Sequence, residues 1–283
     1  MYTAVDPDPR LSPFVDRYWF VRAAPGVSYT LSVDVYVDAR SDMVLNFGPP
    51  YRRRHIDGTH IDVALSSIDA QRTSPVVIEQ EGNVQVCGAR FRPGGLAAFT
   101  RTPMASLTDR IVPIREVFGD AVDTLECELS RIWNSAKPEE LAARMDAFFL
   151  ASIVERRAYT TFLQLIETID RTGSSLSSVD RLADLTERSN RTIERLFAAH
   201  LGITPKLYLR IARFQRALKA MMDAPDCDLS TVALAEGYYD QSNLVREFHA
   251  LAGGVPRHYK GYLPETGVDF APNVVRYDDP PER

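Results

Sequence analysis

Two short polar clusters in the last third of this chain carry side chains suited to reading the edge of a base. Asn190, Arg191, Thr192, Glu194 and Arg195 form the first, and Gln241, Ser242, Asn243 and Arg246 the second. A guanidinium grips guanine with two hydrogen bonds, which suits Arg191, Arg195 and Arg246; a carboxamide does the same for adenine, which suits Gln241 and Asn243. For each of them, contact with a phosphate or an intramolecular partner is the competing reading. No Ser/His/Asp arrangement and no ligand set at metal-binding spacing accompanies them, so neither catalysis nor a cofactor is expected.

The elements that must position these clusters are written twice. Relative to Phe197, Ile193 and Arg195 stand four and two residues upstream, and Gly202, Pro205 and Tyr208 stand five, eight and eleven downstream. Leu244, Arg246, Gly253, Pro256 and Tyr259 keep the same offsets from Phe248. A match of that extent marks an internal repeat. Each copy opens on a short apolar helix with a small residue, Ala183 or Ala233, then a turn at Glu187 or Gly237, then an amphipathic helix whose N-terminal end is polar. This is the grammar of a helix-turn-helix, whose second helix lies in the major groove. Gly237 accepts the positive φ of such a turn freely, whereas Glu187 accepts it at a cost of about 1 kcal/mol.

Within the repeat, the apolar positions Ile193, Leu196, Phe197 and Leu201 face inward on the first reading helix, as do Leu244 and Phe248 on the second. Upstream, Phe162, Leu165, Ile166 and Ile169 make one helical face closed by Gly173, and Ser177 is expected to cap the next helix. Between the copies, Pro205 starts a long helix running to about Met222, long enough to span roughly 27 Å. That approaches the roughly 34 Å between successive major-groove faces, so one rod can hold both readers on one side of a duplex. Lys206, Arg210 and Arg213 on this rod read as solvated surface, with phosphate contact as the second reading.

The run from Ser189 to Phe197 with Leu201-Gly202-Ile203-Thr204-Pro205 resembles the first half of the AraC/XylS DNA-binding domain. Gly237 to Leu244 and Gly253-Gly254-Val255-Pro256-Arg257-His258-Tyr259-Lys260 resemble the second half, which carries that family's signature. Glu187 departs from the family pattern, which has Gly there. The segments Leu11 to Trp19, Asp42 to Gly48 and Gly88 to Gly95 resemble the cupin-like domain that precedes such modules in many bacterial regulators. The resemblance implies an α+β chain. Residues 1–113 would be a β-rich, cupin-like barrel in the sensor position and 114–153 a helical pair. Residues 154–262 would be an all-α domain of two helix-turn-helix units joined by a long helix, and 263–283 a tail. It further implies double-stranded DNA as partner, RNA polymerase as a second, a small-molecule effector, a homodimer, and a cytoplasmic regulator of the activator kind.

Whole-chain properties agree with that reading. The 283 residues are 45% hydrophobic and 25% charged, the balance of a folded two-domain protein. No apolar run reaches the roughly 18 residues of a membrane span, and no signal peptide is expected from Asp6, Asp8 and their neighbouring prolines. Cys87, Cys127 and Cys227 are far apart, with neither disulfide nor metal-ligand spacing. The net charge of −5 argues against a polyanionic partner, but residues 155–262 hold 15 Lys and Arg against 13 Asp and Glu, so the acidic excess lies elsewhere.

The first hundred residues read as short strands at Tyr18 to Val21, Tyr29 to Val37, Met43 to Phe47, Ile61 to Leu65, Val76 to Glu79 and Val84 to Phe91, a barrel or a sandwich. Arg90 and Arg92 share a strand face ahead of Pro93-Gly94-Gly95 and a helix at Leu96 to Phe99. Either the helix N-terminus and the arginines meet an anion, or the segment is a tight turn whose arginines pair with local carboxylates. Asn46 either lines a ligand pocket with them or satisfies neighbouring backbone. Arg52-Arg53-Arg54, His55 and His60 read as a solvated loop, with no ligand set for a metal. Val122, Leu125, Leu129 and Ile132, then Leu141, Met145, Phe148 and Phe149, define two helices that either make a dimer interface or pack on their own β domain. A linker is expected at 154–158. The tail, rich in Pro and acidic residues without periodicity, is expected to be either a poorly ordered extension or a piece packed back on the body. Two other classes stand beside the regulator: a cupin-like enzyme, and a repair protein using Cys87 as an alkyl acceptor.

Overall fold

The computed structural model describes residues 2–256 apart from 25, 27, 64 and 225, together with 274–276. Its first part consists of antiparallel strands β1 (Tyr2–Val5), β2 (Val15–Arg22), β3 (Tyr29–Val35), β4 (Asp42–Asn46), β5 (Tyr51–His55), β6 (His60–Val63), β7 (Ser67–Asp69), β8 (Val76–Gly82), β9 (Gln85–Phe91) and β10 (Ile111–Pro113). They form two sheets, in the orders β1-β2-β9-β4-β7-β10 and β3-β8-β5-β6, rather than one closed barrel. A further strand, β11 (Val274–Arg276), extends the second sheet by pairing with β3. The rest of the 263–283 tail, like Arg257 to Lys260 of the signature, lies outside the described residues.

Alternation along the first sheet sends its side chains to two different environments. Tyr18, Phe20, Met43, Leu45, Ile68, Cys87, Ala89 and Phe91 all belong to one hydrophobic cluster. That cluster is completed by helices α1 (Ile114–Phe118), α2 (Ala121–Ile132) and α3 (Pro138–Ser152). Val122, Leu125, Leu129, Leu141, Met145 and Phe149 are all buried in it, and Phe149 rings against Phe91 and Phe99 at 5.5 and 4.9 Å. The apolar face of the helical pair is therefore spent on its own β domain and not offered to a second copy.

The opposite face of the first sheet carries charge into the space between the sheets. Asp42 on β4 lies opposite both Arg90 on β9 and Asp69 on β7. Asp69 accepts from Arg53 Nη1 at 2.9 Å and from Arg72 Nη1 at 2.6 Å, and Arg90 pairs with Asp42 at 3.1 Å and with Asp38. Arg53, Arg72 and Arg90 are all at most 3% exposed. The solvated-loop reading of the arginine run is thus corrected: residues 51–55 are a strand, so Arg52 and Arg54 point out to Asp62 and Glu79 while Arg53 turns inward. His55 and His60 likewise end and begin strands of a hairpin.

The second part is helical: α4 (Tyr159–Thr172), α5 (Val179–Thr186), α6 (Asn190–His200), α7 (Pro205–Asp223), α8 (Leu229–Ala235) and α9 (Gln241–Ala252). Ser178, not Ser177, caps α5, accepting from the Arg181 amide. Glu187 adopts φ 53°, ψ 40°, and Gly237 has φ 75°, so the two turns share a left-handed residue although only one has the residue suited to it. Helices from both units and from α4 and α7 form one core, and that core also takes in Tyr36, Val37 and Ala39 from the connection between β3 and β4. The Val37 amide donates to the Leu251 carbonyl at 2.8 Å. At the other unit, Thr108 Oγ1 donates to the Gly202 carbonyl at 2.9 Å, and a Cβ on Gly202 would stand 2.6 Å from the Met104 carbonyl oxygen.

Because Asp69 is the shared acceptor of two buried guanidinium groups, Asp69→Asn should destabilise the chain by about 3–5 kcal/mol in chemical denaturation, since it leaves buried positive charge uncompensated. A loss below about 1 kcal/mol would mean that the network does not hold the sheets.

Candidate nucleic-acid interface

Helices α6 and α9 are each started by a side chain that satisfies a first free amide. Ser189 Oγ accepts from the Thr192 amide at 3.3 Å, and Asp240 Oδ1 accepts from the Asn243 amide at 2.7 Å. Asp240 was recognisable in the sequence only as part of a polar cluster; an Asp one residue before the periodic run was the signal. With those caps set, Ile193, Leu196 and Phe197 on α6 and Leu244 and Phe248 on α9 are buried. Asn190, Arg191, Glu194, Arg195, Gln241, Ser242 and Arg246 are exposed, and Thr192 and Asn243 are half-buried beside their caps. Asn190 donates to Asp180 at 2.6 Å, and Thr192 shares its hydroxyl with Ser189 at 3.0 Å. Arg191, Arg195 and Arg246 take part in no ion pair among the described residues.

Helix α7 holds the two units. Its 19 residues span about 28 Å. Thr204 caps it, and Tyr208, Ile211, Phe214, Leu218 and Met221 line its buried side. Arg210 and Arg213, expected as free surface, are fastenings instead: Arg210 forks onto Glu247 of α9 at 2.9 and 3.3 Å. Arg213 donates to the Gly237 carbonyl at 3.3 Å and lies over the Tyr238 ring, and Arg216 pairs with Glu236 at 3.0 Å. About two turns of the rod thus grip the turn and α9 of the second unit. Lys206 alone of the expected trio remains exposed without such a contact.

Residues 182–261 match the family described as a helix-turn-helix domain, and residues 3–113 match a domain of unknown function, DUF6597. The C-terminal part therefore carries a helix-turn-helix domain. The XylDLEGF operon transcriptional activators 3 and 1 of Pseudomonas putida are each 26% identical to this chain over 114 residues, 38% of this chain and 34% of theirs. The chain therefore spans about a third of the length of these curated relatives. Among solved structures, ToxT from Vibrio cholerae has a TM-score of 0.48 at 8% identity over 82% of this chain and 97% of that one. The AraC-like transcriptional activator CuxR has a TM-score of 0.27 at 12% identity, over 76% and 85% of the two chains. Both likenesses are loose. The matched segment begins inside α5, so α4, α5 and the helix-turn-helix domain share one core across the boundary of the match.

The residues expected to meet a ligand are spread apart and spent internally. Arg90 is fully buried between Asp38 and Asp42; Arg92 donates to the Ser12 carbonyl at 2.7 Å and faces Asp16. Asn46 ties down the following turn, donating to the Pro49 carbonyl and accepting from the Gly48 amide, both at 3.1 Å. The segment after Gly94 is a buried 3-10 turn, and Gly94 lies against the Phe162 ring. Cys87 is buried, which pushes its thiol up and away from the thiolate an alkyl acceptor needs. Among the described residues no group of three His, Cys, Asp or Glu is placed to hold a metal ion.

His200, at the end of α6, is 3% exposed and packs on the Tyr159 and Phe162 rings. Burial, with the charge of Arg156 adding to it, pulls its pKa down from 6.5 to about 4. Folding therefore favours the neutral imidazole, and that stabilisation is complete above pH 6.5 and lost as pH falls towards 4. Unfolding free energy should decline over this window by up to about 3 kcal/mol, and His200→Gln should flatten that part of the profile. An identical decline in the variant would assign the acid sensitivity to other groups.

Proposed function

We propose that this chain is a sequence-specific transcription regulator of the AraC/XylS type, whose helices α6 and α9 enter adjacent major-groove segments of one duplex under the control of a small effector. Asn190, Arg191, Thr192, Glu194 and Arg195 read the first segment, and Gln241, Ser242, Asn243 and Arg246 the second. The observation that carries this reading is the fastening of the second unit to α7, its turn through Arg213 and Arg216 and α9 through Arg210, which leaves the unpaired arginines of two capped helices exposed. A span of about 28 Å is within reach of the roughly 34 Å groove repeat once modest bending of the DNA is allowed. The domain boundaries in this reading are 1–113 for the sensor, 114–153 for its helical support and 154–262 for the reader.

The relatives from Pseudomonas putida are named as transcriptional activators, which favours activation, with RNA polymerase as the second macromolecular partner, in the cytoplasm. Control by an effector is supported by the contacts of the first domain with both units, at Gly202 and at Leu251. Homodimerisation would use a surface other than the buried α2 and α3 face.

Occupied sites mapped across a genome define the operator for a titration. Arg246→Ala should then cost about 1–3 kcal/mol in operator binding and relax preference at one base position. Unchanged affinity in a folded variant would remove Arg246 from the readout, and equal binding to cognate and random duplex by the parent protein would end the proposal.

A further inference from the structure

A cleft of about 580 Å³ lies where the first domain, the linker and α6 meet, lined among others by Arg101, Glu155, Arg156, Arg157, Arg195 and His200. That is the volume of a small-molecule site. Among the described residues, four guanidinium groups line it, and Glu155 is the one acidic side chain on its wall. Arg156 is already committed: it donates to the carbonyls of Thr100 at 2.7 Å, Thr102 at 3.0 Å and Ala199 at 3.0 Å, which fixes the linker to both sides of the cleft. Arg101, Arg157 and Arg195 are exposed and make no ion pair among the described residues.

Holding three uncommitted like charges around one concavity is unfavourable unless something neutralises them. His200 lines the same cleft, is nine-tenths buried and more, and its Nδ1 has no hydrogen-bond partner among the described residues. Burial lowers the pKa of Arg156, with the charge of Arg101 adding to it against the opposing effect of Tyr159. Three structural units each contribute one free guanidinium: the first domain through Arg101, the linker through Arg157, the first reading helix through Arg195.

We propose that this cleft binds a small, multiply charged oxyanion, held between Arg101, Arg157 and Arg195. The planar fork of arginine matches carboxylate and phosphate oxygens alike, so the shared chemistry is an oxyanion with at least two negative charges. Resting on the function proposed above, a consequence follows for control. Arg195 serves the anion and the operator in turn, so each ligand weakens the other by the same factor.

Isothermal titration of the full chain with pyrophosphate and with citrate, at constant ionic strength set by chloride, tests the site and separates the two sources. Saturable one-to-one binding of either anion is expected, weakened about tenfold or more in Arg101→Ala and in Arg157→Ala, with folding checked by circular dichroism. No saturable binding of either anion, or equal affinity in parent and variants, would overturn the site. So would a third pattern: no anion binding, but a salt dependence of operator binding shallower by about one phosphate contact in each variant, which would make the cleft a DNA-backbone contact. With the anion bound, operator affinity should fall severalfold; an unchanged value would refute the coupling. Failure to bind any operator would count against the DNA reading and leave the anion titration to stand on its own.

Discussion

Phe214, fully buried halfway along α7, is the point where three parts of the chain meet. Its ring lies 4.9 Å from Phe248 of the second reading helix and 5.8 Å from Tyr36 of the first domain, both edge to face. Burial of such rings is worth a few kcal/mol each, and the edge-on geometry adds to it. Everything proposed for the molecule depends on that seam: it sets where α9 sits on the rod, and it brings the β domain into the same core. The polar fastenings around it, Arg210 to Glu247 and Arg216 to Glu236, are partly exposed and individually weak. They set orientation, while the apolar seam supplies the energy.

The first domain reaches this core through the segment between β3 and β4, and the same segment runs into the buried charges between the two sheets. Tyr36, Val37 and Ala39 sit in the helical core, whereas Asp38 pairs with Arg90 within the β domain. One strand-end therefore belongs to both environments. A change in the pairing of Arg90, Asp38 and Asp42 has a short mechanical route to Leu251 and the end of α9. On the other side, Arg156 and Thr108 join the first domain to the end of α6. The first domain thus touches both helical units, by different contacts.

The two-helix repeat was legible from residue types alone because its information is local. The helical period, Pro205 at the start of α7 and the closing Gly173 all act within a few residues. The helices from Val122 and from Leu141 were legible for the same reason, with a break at Ser135 to Pro138 between them. What escaped was set by partners distant in the chain. Arg53 reads as one of three solvated arginines until Asp69 is brought across from the other sheet. Arg210 and Arg213 read as surface until Glu247 and Gly237 arrive from the second unit. Neither the burial of Tyr36 against Phe214 nor the ring of arginines around His200 has a local sign, since each joins segments far apart in the chain. The choice between Ser177 and Ser178 as cap turned on one residue of register, which composition does not decide.

The account stands or falls on the claim that α7 and its seam hold both reading helices as one rigid body. Spin labels at exposed Asp184 of the first unit and Ala250 of α9, with Cys127 and Cys227 replaced by serine, report that separation directly by electron double resonance. One narrow distance population is predicted for the free protein, broadened by Phe214→Ala. A broad or divided distribution in the parent protein would show that the units move independently, and would contradict the reading of the rod as a fixed ruler along the duplex.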